Sequence, residues 1–134
     1  MALASVTERR LLQIAVVIAS LVPLAAGTTG VLLGPAMVHV ASAPIAADSH
    51  YRYLSGLLLG IGCAFVTTVP RIERHGARFR ILTAIVVIGG LGRLLSLALN
   101  GYPGGPMLFG LVMELGVTPA LALWQRRIAH ARSG

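Results

Sequence analysis

The stretch GGLGRLLSLALNGYPGGPMLFGLVMELGVTP, residues 89–119, decides how the rest of the chain is read. It contains two apolar runs joined by Asn100-Gly-Tyr-Pro-Gly-Gly-Pro106, a tight turn by composition. Each run carries one charge, Arg93 on the first and Glu114 on the second. Arg93 stands seven residues before Asn100 and Glu114 eight after Pro106. At a helical rise of about 1.5 Å per residue, both lie roughly 10 Å from the turn, so an antiparallel hairpin lets base and acid face each other.

Composition extends this reading outward. The hydrophobic fraction is 56% and only 11% of residues are charged, too few to cover a soluble domain of 134 residues. A mean hydropathy of +0.83 agrees. The formal net charge of +7 raises the possibility of nucleic acid, but the arginines flank apolar runs and do not form a face interleaved with aromatics. Nucleic acid is therefore excluded as a partner, and a membrane protein with basic loops is expected.

A single membrane domain over 1–134 is expected, with helices at about 11–33, 49–69, 81–99 and 107–124. In the first, Pro23 and the Gly27-Thr-Thr-Gly30 cluster predict a kink or a loosened turn whose carbonyls need hydroxyls or neighbouring helices. The apolar connection over 35–48 suits a partly helical interfacial segment. Asp48 or Ser49 is placed to cap the second helix. Gly56, Gly60 and Ala64 form a small-residue stripe that permits close helix approach. Cys63, the single cysteine, reads as a small buried packing residue.

The N-terminal segment, the loop over 70–80 and the C-terminal tail together hold nine of the eleven arginines, Arg132 among them. Arg52 and Arg93 belong to the opposite end. The positive-inside rule then predicts an N-in/C-in, all-α bundle of four transmembrane helices. Trp124 and Phe79 suit the inner interface; Tyr51, Tyr53 and Tyr102 suit the outer one.

The outer half also collects His39, Asp48, His50, Arg52, Arg93, Ser96, Asn100 and Glu114. Gly89, Arg93, Ser96 and Asn100 follow helical steps, as do Gly110, Glu114 and Thr118, which marks faces turned toward neighbouring helices. An unpaired charge at a helix centre costs about 2.5–3.5 kcal/mol on insertion scales, so two are tolerated most easily if they meet. One reading is a structural Arg93–Glu114 pair that fixes hairpin register. The other is a ligand site of Arg52, Arg93, Glu114, Asp48, His50, Ser96 and Asn100 between apolar walls. Arg52 can pair with Asp48, four residues upstream. No tight His or Cys spacing supports a metal, and no phosphate-cradling loop or nucleophilic triad is present, so neither metal nor cofactor is expected.

The segments DSHYRYLSG at 48–56, GRLLS at 92–96 and GYP at 101–103, with Glu114, Pro119 and Trp124, resemble the domain-of-unknown-function 4345 family of small bacterial four-span membrane proteins. The resemblance covers nearly the whole chain. It implies that Asp48, Arg52, Arg93 and Glu114 are the family's polar signature, and it supplies no activity. The expectation is a multi-pass bacterial inner-membrane protein in contact with membrane lipids. Its leading function is to bind or transport a hydrophobic or amphipathic small molecule or lipid. The alternatives are a structural or accessory subunit, as a homo-oligomer or within a larger complex, and a small membrane enzyme using Glu114 as acid or base.

Overall fold

The computed structural model describes residues 2–131, with side chains described from residue 6 onward; Arg132 of the basic tail lies outside the described residues. The described chain is helical with no strand. Helix α1 spans Ala2–Leu33, α2 Ile45–Thr68, α3 Gly76–Asn100, and α4 Gly105–Ala131. Among the described residues, four helices are long and apolar enough to cross a membrane, and the protein is a multi-pass membrane protein. At about 1.5 Å per residue, the shortest of them exceeds the roughly 30 Å hydrocarbon layer.

The helices extend beyond the expected bounds, through polar residues in α1, α3 and α4 and through Ile45-Ala46-Ala47 at the start of α2. Helix α1 already includes Thr7, Glu8, Arg9 and Arg10, and α2 starts at Ile45. Asp48 is consequently not a cap. It lies within the first turn of α2, and its own N–H donates to the Pro44 carbonyl at 3.0 Å. An acid there still complements the helix dipole.

The chain divides into two compact units, Met1–Ala19 with Thr68–Gly134, and Ser20–Thr67. In the first, Leu12, Val16, Ile72, Phe79, Leu82 and Ile128 form the core. Phe79, expected at an interface, is 1% exposed because its helical face turns into this core. A short 3-10 segment, Val69–Arg74, joins α2 to α3. Its carbonyls are held by side chains: Gln13 Nε2 donates to Val69 at 2.6 Å, Arg9 Nη2 to Pro70 at 2.9 Å, and buried Gln125 Nε2 to Ile72 at 2.8 Å. Arg9 also pairs with Glu73 at 3.0 Å, and Arg127 pairs with Glu8. Lipid tails are as apolar as leucine, so such hydrogen bonds and close packing hold membrane helices together where the hydrophobic effect cannot.

The second unit packs residues 20–33 of α1 against α2. Helix α1 passes unbroken through Pro23. The glycines that follow Pro23 serve close approach: a Cβ on Gly27 would stand 2.6 Å from Leu59 N, and one on Gly30 would stand 2.7 Å from Ser55 Cβ. Thr29 Oγ1 donates back to the Ala25 carbonyl at 2.8 Å, so a hydroxyl does serve the helix at this cluster. On α2 the close contact falls at Gly62, against Leu24, and not on the expected stripe. Gly60 has no atom within 4 Å of where its Cβ would be, and Gly56 meets only Val31 at 3.9 Å. Cys63 is exposed, contrary to expectation, because it lies next to Gly62 on a helix whose packed face is centred on the glycine.

Candidate functional site: the Arg93–Glu114 pair

Helix α3 ends where Gly101 takes φ 85°, and Gly104 takes φ 99° before α4 begins. Both values fall where only glycine is unstrained, so the hairpin turn is fixed by these two residues. Pro106, in the first turn of α4, adds a preset φ where the missing N–H costs nothing.

The α3–α4 hairpin brings the two charges together. Arg93 Nε donates to Glu114 Oε2 at 2.9 Å and Nη2 to Oε1 at 3.0 Å, a parallel two-bond pairing. Such forks are the strongest and most directional of the charge-assisted bonds. Arg93 Nη1 approaches Met107 Sδ at 2.9 Å. The arginine side chain is 31% exposed and the glutamate 16%. Two glycines make room. Gly110 lies under the guanidinium, where a Cβ would be 3.5 Å from Arg93 Cζ. Gly90 takes the closer contact of the two, with a would-be Cβ 2.8 Å from Leu115 Cδ2 and 2.9 Å from Glu114 Cβ.

Glu114 does not sit in a regular α-turn. Residues Met113–Val117 form a π turn inside α4, in which the Thr118 N–H reaches the Met113 carbonyl five residues back. Thr118 Oγ1 donates to the same carbonyl at 2.8 Å. Pro119 follows directly and cannot donate an N–H, so the widened turn occurs where the helix must already lose a bond. The widened turn presents both Glu114 and Leu115 to Gly90 of α3.

The remaining residues of the expected site have other partners. Arg52 Nε binds Asp48 Oδ2 at 2.9 Å, and its Nη1 donates to the carbonyls of Val31 at 2.6 Å and Leu32 at 3.0 Å. Arg52 thus closes the C-terminus of α1, where unpaired carbonyls and the negative end of the helix dipole favour a cation. Gly34, at φ +59°, permits this: a Cβ there would stand 2.6 Å from Asp48 Oδ1 and 2.8 Å from Arg52 Nη2. Arg52 and Asp48 belong to the unit of residues 20–67, Arg93 and Glu114 to the other. His50 is exposed, its ring tilted against Tyr53 at 6.4 Å. Ser96 and Asn100 are exposed and bond weakly to each other at 3.4 Å.

Sequence spacing missed Gly90, Met107 and the π turn. Gly89 was expected on the packed face, yet nothing lies within 4 Å of its would-be Cβ. Pro119 after an acid and a threonine was the available signal for the irregular turn.

The model of the family described as Domain of unknown function (DUF4345) matches residues 11–125. No curated protein and no solved structure matches the chain.

Proposed function

The chain belongs to the family Domain of unknown function (DUF4345), whose description carries no activity, and we propose from the site itself that it binds or carries an amphipathic small molecule or lipid. The polar head would rest on the Arg93–Glu114 pair and the apolar body along α3 and α4. The observation that carries this reading is the half-open fork: both Glu114 oxygens are held by Arg93, while the arginine side chain remains 31% exposed. A guanidinium has five N–H groups, and the carboxylate and the Met107 sulfur account for three. Two donors are left for a ligand, with the charge of the arginine already balanced. A neutral acceptor head, such as a carbonyl or hydroxyl, suits that balance better than an anion. Exposed Leu94, Leu108 and Phe109 supply an apolar surround.

This reading extends to the other expected residues as proposals. Arg52, Asp48 and His50 would border the same leaflet, with Ser96 and Asn100 on the exposed flank of α3. Both termini would lie in the cytoplasm of a bacterial inner-membrane protein, since the basic end carries nine of the eleven arginines. An acid or base role for Glu114 would have to displace two hydrogen bonds from Arg93.

To test the binding reading, the protein is purified in mild detergent and its organic extract analysed by mass spectrometry beside that of R93M/E114L. A molecule bound to the wild type and lost from the folded double variant is expected. Equal occupancy in both would remove the reading.

One observation favours a second reading, an accessory or self-associating subunit. Gly56 and Gly60 contribute no close contact within the chain, so the stripe remains available to another helix. A dimer in native mass spectrometry that G60L abolishes is expected on that reading, and a monomer at all concentrations would end it.

A further inference from the structure

A separate feature at the opposite, basic end of the chain carries an inference that does not depend on the Arg93–Glu114 site. An open apolar groove runs along α1 where it meets the end of α2, lined by Gln13, Ile14, Val17, Ile18 and Val69. Its walls are fixed: Gln13 Nε2 and Arg9 Nη2 hold the Val69 and Pro70 carbonyls, which clamps this turn of α1 to the connection after α2. Ile14, Val17 and Ile18 are all exposed.

Positive charge is concentrated in the segments that border the groove. Among the described residues, eight arginines belong to the segments at this end against two acids, Glu8 and Glu73, and both acids are in ion pairs, with Arg127 and Arg9. Arg10 precedes Ile14 by one helical turn and so stands above it on the same face. Arg71 follows Val69 by two residues, on the segment that Arg9 and Gln13 hold to α1. Arg10 and Arg71 are exposed, and neither guanidinium has a hydrogen bond or ion pair among the described residues.

We propose that this groove holds one acyl chain of an anionic phospholipid whose phosphate is received by Arg10 and Arg71. The pairing follows from charge and polarity together. An open groove of exposed apolar residues matches a lipid tail, and two unneutralised guanidiniums on the segments that border it match a phosphate, which they can bind in bidentate fashion. A zwitterionic headgroup offers the same tail but brings its own cation to the arginines, so the site discriminates by headgroup charge.

The test is native mass spectrometry of the full chain in detergent, titrated with phosphatidylglycerol or with phosphatidylcholine of identical acyl chains. Phosphatidylglycerol is expected to bind more tightly. R10Q/R71Q should weaken it by about 30-fold, from the usual contribution of two basic residues near an anionic surface, and leave phosphatidylcholine unchanged. R10K/R71K should retain most of the preference. I14W/V17W, with both arginines intact, should lower the affinity for both lipids by filling the groove, and water-soluble glycerol phosphate should not compete. Equal binding of the two lipids would overturn the proposal. So would an equal loss in R126Q, which removes an exposed arginine elsewhere at this end, or undiminished binding in I14W/V17W.

Discussion

The Arg93–Glu114 pair predicts a larger loss of stability from single than from double replacement. Replacing Glu114 with leucine leaves a guanidinium that cannot shed its charge. At a helix centre that would cost about 2.5–3.5 kcal/mol on insertion scales. Arg93 lies seven residues from the end of α3 and is 31% exposed, so its head can bend toward the interface. The expected cost of E114L is therefore lower, about 2 kcal/mol. R93M should cost less, because an isolated carboxyl can escape its charge by taking up a proton. R93M/E114L removes both charges and puts apolar side chains against Gly90, Gly110 and Met107, so its stability should return to within about 0.5 kcal/mol of wild type. The coupling energy of the cycle is then about 1.5–3 kcal/mol. Reversible unfolding of the four proteins in bicelles, followed by steric trapping or by titration with a denaturing detergent, measures it. Two nearly additive single effects would refute the reasoning, because they would mean that neither charge depends on the other.

Further outcomes follow from other contacts. G90L should destabilise by about 1–3 kcal/mol through overpacking against Leu115 and Glu114, while G89L, one position away with open space around it, should stay close to wild type in the same unfolding assay. G34A should cost at least about 1–2 kcal/mol, since φ +59° is strained for alanine and the new methyl displaces the Asp48 and Arg52 groups; thermal unfolding would show the loss. Q125L should cost about 1–3 kcal/mol, because it leaves the Ile72 carbonyl without its buried donor, again read by unfolding.

The spans were legible because apolar length is a strong constraint, and the meeting of Arg93 with Glu114 was legible from equal distances to one turn. Which flank of each helix packs was not. Gly89 and Gly90 stand four and three residues before Arg93, and both steps are compatible with one helix face. The structure puts Leu115 and Glu114, both in the π turn, against Gly90 and leaves Gly89 open. The same ambiguity separates Gly60 from Gly62. A regular stripe looks persuasive in a sequence, but packing on α2 is set by where Leu24 of α1 falls. Arg52 was recognised as a partner of Asp48, while its bonds to the Val31 and Leu32 carbonyls depend on the path of the connection through Gly34, which spacing does not encode.

The site account rests most directly on the pair existing inside a bilayer. Solid-state NMR of the full chain in lipid, with labelled arginine and glutamate, can record dipolar transfer from the Arg93 Nε and Nη2 nitrogens to the Glu114 carboxyl carbon. A strong cross-peak, as hydrogen bonds of 2.9 and 3.0 Å require, that vanishes in E114L is the predicted result. No transfer in the wild type, with Arg93 coupled instead to water or lipid phosphate alone, would contradict the account.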